Sequence, residues 1–581
     1  MIFARRTVLP LVLVLSLTAL SVVAPVTAAV YVVDQANPDA ADTGPGTAEA
    51  PFKTIQHAAD AAKAGDTVCV MEGTYDERVT IKSSSAEGKP LVLRALPRRS
   101  VTTRGFDTGN ASWLRIEGFR VTNADATLAD PGIRIGKGGT NIEIVDNLVE
   151  GIYTGIGGAG KAVRVTYNSF YRTQFGMVLD GGSDGWVIES NNLERQFQHR
   201  SGDCDYSRFW GQNHVVRYNR YHGTKRAEVG QAHLDCVQSF NVKKDNPGTF
   251  LHHLTFEYNF CSAFSQAFMI STSTPGTHHD YLFRNNIFWS HDGTWDGGAW
   301  GLCLTGMPNM KAENNTFTNI IWFGFGNADG QNGAASNNIF SGIAIPYRKG
   351  PGFAGHRNLI HNFKEKPKDP GQDELFEGDP KFVDLLKGNL RLAKGSPAIG
   401  SDGQVAGALE YPYVYYVDPQ HPGATDDFWG YAAVPFKTVA KALAVAEPGE
   451  TIVLRGGIYR ETIAPSKAGL SLRAMKGEKV VVSGADLIVG WKREAGAWTA
   501  PLATEPKTVL RDGQKWTDFT YDPSGKRIVV KSGGDPRLRV FETVVREHGL
   551  SLGRLKDLRI EGIDVVNTIG EPIAGKAADS K

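Results

Sequence analysis

Short apolar runs, each closed by an asparagine, recur through the middle of the chain as IVDNLV, VTYNSF, ESNNLE, RYNRY, EYNFC, RNNIF, ENNTF, SNNIF and HRNLI. The recurring asparagines are Asn147, Asn168, Asn192, Asn219, Asn259, Asn286, Asn315, Asn338 and Asn358, spaced by 21, 24, 27, 40, 27, 29, 23 and 20 residues. A repeat of this length marks a solenoid, in which each unit buries its apolar face only against the next and insertions leave as loops on one face. Each interval has room for two or three short strands and tight turns, which predicts an all-β chain of stacked parallel coils. An asparagine at a recurring turn tolerates left-handed backbone and can bond its stacked copies, so these residues are read as scaffold. The longest interval, Asn219 to Asn259, contains GQAHLDCVQSF (230–240). Length that the scaffold does not need makes it the first place to look for chemistry.

Upstream of the repeat, Ile55, Ala58, Ala59 and Ala62 fall at helical spacing and predict a short amphipathic helix over Thr54–Ala64. The following TVCVMEGTY alternates like a strand. A helix ahead of the first coil suits an end cap, since a solenoid must cover its terminal edge. The succession PFKTIQ, AGDTV, GTY and ERVTI resembles the opening of secreted right-handed parallel β-helix proteins of the pectin-lyase-like superfamily, which includes polysaccharide lyases and glycoside hydrolases. The resemblance covers residues 31–410. DPKFVDLLKGNLRLAKGSPAIGSDGQVAGALEY is similar to the closing segment of such proteins. What the resemblance implies is a right-handed parallel β-helix over 30–411, with carbohydrate as the expected substrate.

The opening then repeats. Phe52 and Phe436, Thr54 and Thr438, and Tyr75 and Tyr459 each lie 384 residues apart. The match resumes with LRIEGFRVTN (114–123) against LRIEGIDVVN (558–567), now 444 apart, so the second copy has gained 60 residues. Alternation and aromatic punctuation in GADLIVGWKREAGAWTAPLATEPKTVLRDGQKWTDFTYDP predict a small antiparallel module there. This insertion resembles the β-sandwich inserted in some secreted β-helix xylosidases. Residues 412–581 are therefore expected to form a partial second β-helix with an inserted β module, ending before any counterpart of the central coils.

Composition narrows the class. With 63 basic and 62 acidic residues the formal charge is +1, which gives no electrostatic case for nucleic acid. Arg5 and Arg6 before LPLVLVLSLTALSVVA and small residues at VTAA read as a signal peptide over 1–29, so the expected location is extracellular or periplasmic. No later stretch reaches the ~18 apolar residues that span a bilayer. Five Cys in an exported chain is an odd and low count, so stability does not rest on a disulfide framework. A monomer is expected.

Two segments of the central coils look alike, SGDCD (201–205) and HLDCVQ (233–238). Aligning their Asp-Cys pairs stacks Asp203 on Asp235 at about 4.8 Å. Carboxylates that close must share a proton, bind a cation or be neutralised by a base. Alternation puts His233 with Asp235 toward a groove and Leu234 with Cys236 toward the core, with Cys204 over Cys236; Gln238 falls out of phase unless a bulge intervenes. His199 and Arg226 each follow an asparagine of the repeat by seven residues, which predicts that they stack, and Lys225 and Asp292 each follow by six. Nine of the 14 His lie between positions 199 and 291.

For an eliminative lyase acting on a uronic-acid polymer, these residues offer Arg226 as neutraliser and His233 or Lys225 as base. His199, Asp203 and Asp235 complete the catalytic candidates. Asp203, Asp205 and Asp235 are candidate calcium ligands, since calcium wants several oxygens. Gln238, His291, Asp292, Trp295 and Trp210 are candidates for substrate binding, and Phe197, Tyr206, Phe209, Trp289 and Trp300 offer further rings for sugar stacking. A glycoside hydrolase using paired Asp carboxylates is the alternative, and a non-catalytic glycan-binding β-helix is the third reading. The basic motifs of pectate lyases and the acidic signature of polygalacturonases are not matched, which leaves the reaction type open.

Overall fold

The computed structural model describes residues 28–82, 85–123, 129–240, 250–271, 277–290, 298–304, 306–327, 330–348, 350–368, 370–371 and 373–575. Among them, the strands from Val30–Val33 to Leu375–Phe376 join in one 32-stranded sheet. Its pairings are parallel, and each strand bonds to its counterpart one coil on. Thr140–Val145, for example, is followed by Arg164–Thr166, Val187–Glu189 and Val215–Arg217. This is a parallel β-helix, and the prediction of an all-β solenoid holds.

The asparagines carry the stack, with one change of register. The ladder runs through Asn191 and not Asn192: Asn168 N–H donates to Asn191 Oδ1 at 2.9 Å, and Asn191 N–H to Asn219 Oδ1 at 3.0 Å. Asn192 is turned away from the ladder and is itself buried, its Nδ2 donating to Glu194 and its Oδ1 accepting from His222. The left-handed residue is also not the asparagine but the one before it, as at Asp146, Tyr167, Ser190, Tyr218 and Tyr258. The asparagine itself is turned inward, and its side chain closes the turn. Asn219 Nδ2 donates to the carbonyls of Ile188 and Arg217 and to Asn259 Oδ1, while its own Oδ1 accepts from Asn191. Two residues on, an apolar side chain enters the core; Phe288, Phe317 and Phe340 stack face to face at 4.9 and 5.0 Å.

The cap helix is Ile55–Ala61, shorter than expected because Ala62 returns to extended backbone. Thr54 Oγ1 caps it by accepting from His57 N–H, and Glu77 accepts from the next two free amides, those of Ile55 and Gln56. Val439–Val445 repeats each device with Thr438 and Glu461. Tyr75 and Tyr459 likewise donate to Val33 and Val417 carbonyls. Between Ala485 and Val544 lie two four-stranded antiparallel sheets around Ile488, Ala500, Val509, Ile528 and Phe541.

This second unit lies against the coils of the first. Arg455 bonds Glu189 at 2.8 Å and covers the Tyr218 ring, and Phe428 packs on Phe260. His421 is buried at the junction, where Nε2 donates to Tyr218 O at 3.0 Å and Nδ1 accepts from Gly423 N–H. All five cysteines are unpaired. Among the described residues no helix is long and apolar enough to cross a membrane.

Two outcomes are expected. Asn219→Ala strands the amide donors of Asn191 and should cost ~3 kcal/mol or more in denaturant unfolding, whereas Asn192→Ala leaves the ladder intact, removes only the acceptor of His222 and should cost about 1 to 2 kcal/mol. Burial lowers the His421 pKa from 6.5 to about 3, so on acidification the unfolded chain takes up this proton first. Its contribution is complete above pH 6.5 and is lost as pH falls from there. Melting temperatures measured against pH should therefore fall less steeply below pH 6.5 in His421→Gln.

Candidate functional site

The strands Phe175–Leu179, Asp205–Phe209, Asp235–Phe240, Gln266–Ser271, Gly298–Cys303 and Thr316–Gly326 stack in successive coils. Arg208 is level with Gln238, which puts Asp205, and not Asp203, beneath Asp235. Asp235 N–H donates to Asp205 Oδ1 at 3.1 Å. Cys204 consequently lies level with Leu234 and not with Cys236, and its N–H bonds the His233 carbonyl. The shared Asp-Cys dipeptide is misleading by two residues. The repeated element is Asp-x-x-Arg at 205–208 over Asp-x-x-Gln at 235–238.

That three-residue spacing works because Cys236 and Val237 both enter the core, which breaks strict alternation and returns Gln238 to the face of Asp235. Gln238 Nε2 donates to Asp235 Oδ2 at 3.2 Å. On the coil below, Arg208 Nε donates to Asp205 Oδ2 at 2.7 Å, and a terminal nitrogen reaches Asp203 Oδ2 at 3.2 Å. Asp203 is the reachable carboxylate, its side chain 44% exposed, while that of Asp205 is fully buried. Gln266 occupies the next rung above Asp235. The column is thus Asp205, Asp235, Gln266.

Burial raises the pKa of both stacked carboxyls, and the charges of Asp205 and Asp203 raise Asp235 further; Arg208 opposes this, more directly at Asp205. Asp235 Oδ1, Gln238 Oε1 and Gln266 Oε1 are buried and, among the described residues, have no donor. Buried acceptors without donors are uncommon and call for a partner. Carboxylate and amide oxygens are the atom types that could hold a hard cation such as calcium.

Aromatic rings and arginines extend the column along the helix axis. Below, Arg208 lies 4.2 Å over Phe175, Phe175 meets Tyr153, and Arg200 covers Tyr153 at 4.8 Å. Above Gln266, Trp300 packs on Phe323 at 4.8 Å, and Arg348 covers Phe323 at 4.0 Å. Arg208, Arg200, Arg348, Phe175, Tyr153 and Gln266 were not foreseen as site residues. Only Arg208 carried a signal in the sequence, as the counterpart of Gln238.

Several expected members lie elsewhere. His233 is exposed ahead of its strand, apart from the buried Asp235. His199 Nε2 donates to Arg172 O, whereas Arg226 turns back to the Gly230 and Ala232 carbonyls, so the two do not stack. Lys225 is exposed at the start of the short helix Arg226–Val229. Trp210 is buried, its Nε1–H spent on Phe240 O at 2.6 Å, which removes it as a sugar platform. Tyr206 and Phe209 are core residues, and Trp289 is buried against Phe260. His291, Asp292 and Trp295 lie outside the described residues.

The parallel pairing of each strand with its counterpart one coil on makes the chain a parallel β-helix. Residues 39–94 match a family described as "Protein of unknown function (DUF1565)". The chain is 33% identical over 135 residues to the uncharacterized protein YwoF of Bacillus subtilis, covering 20% of this chain and 28% of that protein. It is 31% identical over 160 residues to pectate lyase PEL9 of Emericella nidulans, covering 26% and 36%. The matches thus span about a third of those relatives' own lengths. Among solved structures, pectate lyase Pel9A is similar at a TM-score of 0.34 and 14% identity, over 66% of this chain and 96% of that one.

Because the folded-state pKa of Asp235 is raised, its ionisation costs stability as pH rises above the ordinary carboxylate range. Asp235→Asn should therefore raise the melting temperature at pH 8 and leave it nearly unchanged at pH 4. The same variant should lose any calcium-dependent rise in melting temperature.

Proposed function

We propose that the protein is a secreted enzyme that cleaves a uronic-acid polysaccharide by β-elimination at the Asp205–Asp235 column. The observation that carries this reading is the set of donorless oxygens on a buried carboxyl pair, flanked along the axis by arginines and rings. A sugar chain lying along the coils would stack on Trp300 and Tyr153 while Arg200, Arg208 and Arg348 meet its carboxylates. The local positive groups matter because the chain as a whole is nearly neutral.

In this reading Arg208, held in place by Asp205 and by the Phe175 ring, neutralises the carboxylate of the reacting uronate. Neutralisation lowers the pKa of the adjacent α-proton. The exposed carboxylate of Asp203, already on Arg208, is assigned as the base. Calcium, held by Asp235 with Gln238 and Gln266, would add positive charge beside the same carboxylate. Water is kept from the paired carboxyls by their burial, which strengthens each charge interaction.

A second reading is favoured by the raised pKa of Asp235. A buried carboxyl kept protonated beside one held by an arginine is the pattern of an acid and its partner in glycoside hydrolysis. The two readings separate in one assay over a panel of uronic-acid polysaccharides. Elimination leaves an unsaturated uronate that absorbs in the ultraviolet, EDTA abolishes it, and Arg208→Ala lowers kcat/KM by about 100-fold or more. New reducing ends without that absorbance would establish the hydrolase instead. Full activity in both Arg208→Ala and Asp235→Asn would sink the site itself.

A further inference from the structure

A second cluster lies on successive turns in the coils after the carboxyl column. His252 and His279 are level on adjacent strands, Leu251–Glu257 and His279–Arg284. Beside them, His253 and Asp280 occupy left-handed positions, with φ of 50° and 61°. The same left-handed turn is filled by Asn213 one coil below and by Asn309 and Asn332 above. Asparagine is the undemanding choice at such a φ. At two consecutive coils it is replaced by side chains that bind metals.

The ligand atoms converge. His253 Nε2 lies 3.4 Å from Asp280 Oδ2, His279 Nδ1 lies 2.6 Å from the same oxygen, and the three ligand atoms are all within 4.8 Å of one another. In a tetrahedral zinc site with bonds of about 2.0–2.2 Å, neighbouring ligand atoms stand about 3.4 Å apart. The His253 contact has that separation already. The His279 contact is a hydrogen bond that would open, and both side chains are part exposed.

An outer shell is also in place. His279 Nε2 lies 2.6 Å from His252 Nδ1, and Asn309 Nδ2 donates to Asp280 Oδ1 at 2.8 Å. A metal on His279 Nδ1 would fix the proton on Nε2, where His252 accepts it; Asn309 would hold the carboxylate oxygen that the metal does not take. Ligating imidazoles and carboxylates are commonly oriented in this way.

We propose that His253, His279 and Asp280 form a binding site for zinc or a similar divalent transition metal, with His252 and Asn309 as positioning residues. Two imidazoles and one carboxylate select such an ion over calcium, which prefers an all-oxygen set. Three protein ligands at a part-exposed turn leave the fourth position to water. The site joins adjacent coils and uses no residue of the Asp205–Asp235 column.

The full chain, stripped with a chelator and dialysed, is titrated with zinc chloride, and cobalt is substituted to read the coordination. Wild type should bind one equivalent that calcium does not displace, with the strong visible bands of four-coordinate cobalt and a zinc-dependent rise in melting temperature. His253→Ala, His279→Ala and Asp280→Asn should each lose that equivalent or weaken it at least tenfold. His252→Ala should keep the stoichiometry and weaken binding by about 10- to 100-fold. His548→Ala, at a half-buried histidine of the second unit, should leave metal binding unchanged. Because His253 is exposed, its variant should melt like metal-free wild type, so loss of metal there cannot be loss of fold. Retention of the equivalent in His253→Ala and Asp280→Asn, or a wild type without zinc at micromolar concentration, would overturn the assignment.

Discussion

The structure depends on a buried amide that must find partners in two neighbouring coils at once. A carboxamide sealed in a core costs several kilocalories unless its donors and acceptor are used. At Asn219 they are met by a carbonyl two residues back, a carbonyl in the coil before and the next asparagine, with Asn191 donating to its oxygen. No other stacking register satisfies all of these bonds. The asparagines thus do for this solenoid what a specific turn does for a hairpin. They fix register, and the apolar residue two positions on follows them into the core.

That requirement explains why the fold could be read from the sequence while the site could not. A ladder must repeat wherever the coils repeat, so its period survives in the chain even when one member, Asn192 for Asn191, is misplaced. The capping helix was legible for a similar reason, since Thr54 and the apolar spacing from Ile55 declare it. The carboxyl pair follows no such rule. Its register depends on Cys236 and Val237 both turning inward, and a period-two reading of HLDCVQ cannot reveal that. Lys225 and Arg226 lie apart from the column because distance along the chain from an asparagine says nothing about where a loop then goes, and His233 lies ahead of the strand to which alternation assigned it.

The second unit has a physical part to play whatever its chemistry. Arg455, His421 and Phe428 press on Glu189, Tyr218 and Phe260, residues next to ladder asparagines of the coils that carry the carboxyl column and of the one that follows. A parallel β-helix is held mainly by neighbour contacts, so coils braced from the side resist local opening more than coils at a free flank. The brace lies behind the coils that also carry the longest insertion.

The ladder also has a direction. Its first oxygen accepts from Phe119 N–H, every asparagine then donates toward the C-terminal coil, and the last, Asn358, gives its amide to the carboxylate of Glu374. Hydrogen bonds in a head-to-tail file polarise one another, so the file as a whole is a dipole with its hungry end at the last coil. An acidic side chain is the natural stop for such a file, because it accepts and has nothing to pass on. A chain lengthened by inserting coils within the stack would keep this polarity unbroken. One lengthened beyond Glu374 would first have to replace it with a residue that both accepts and donates.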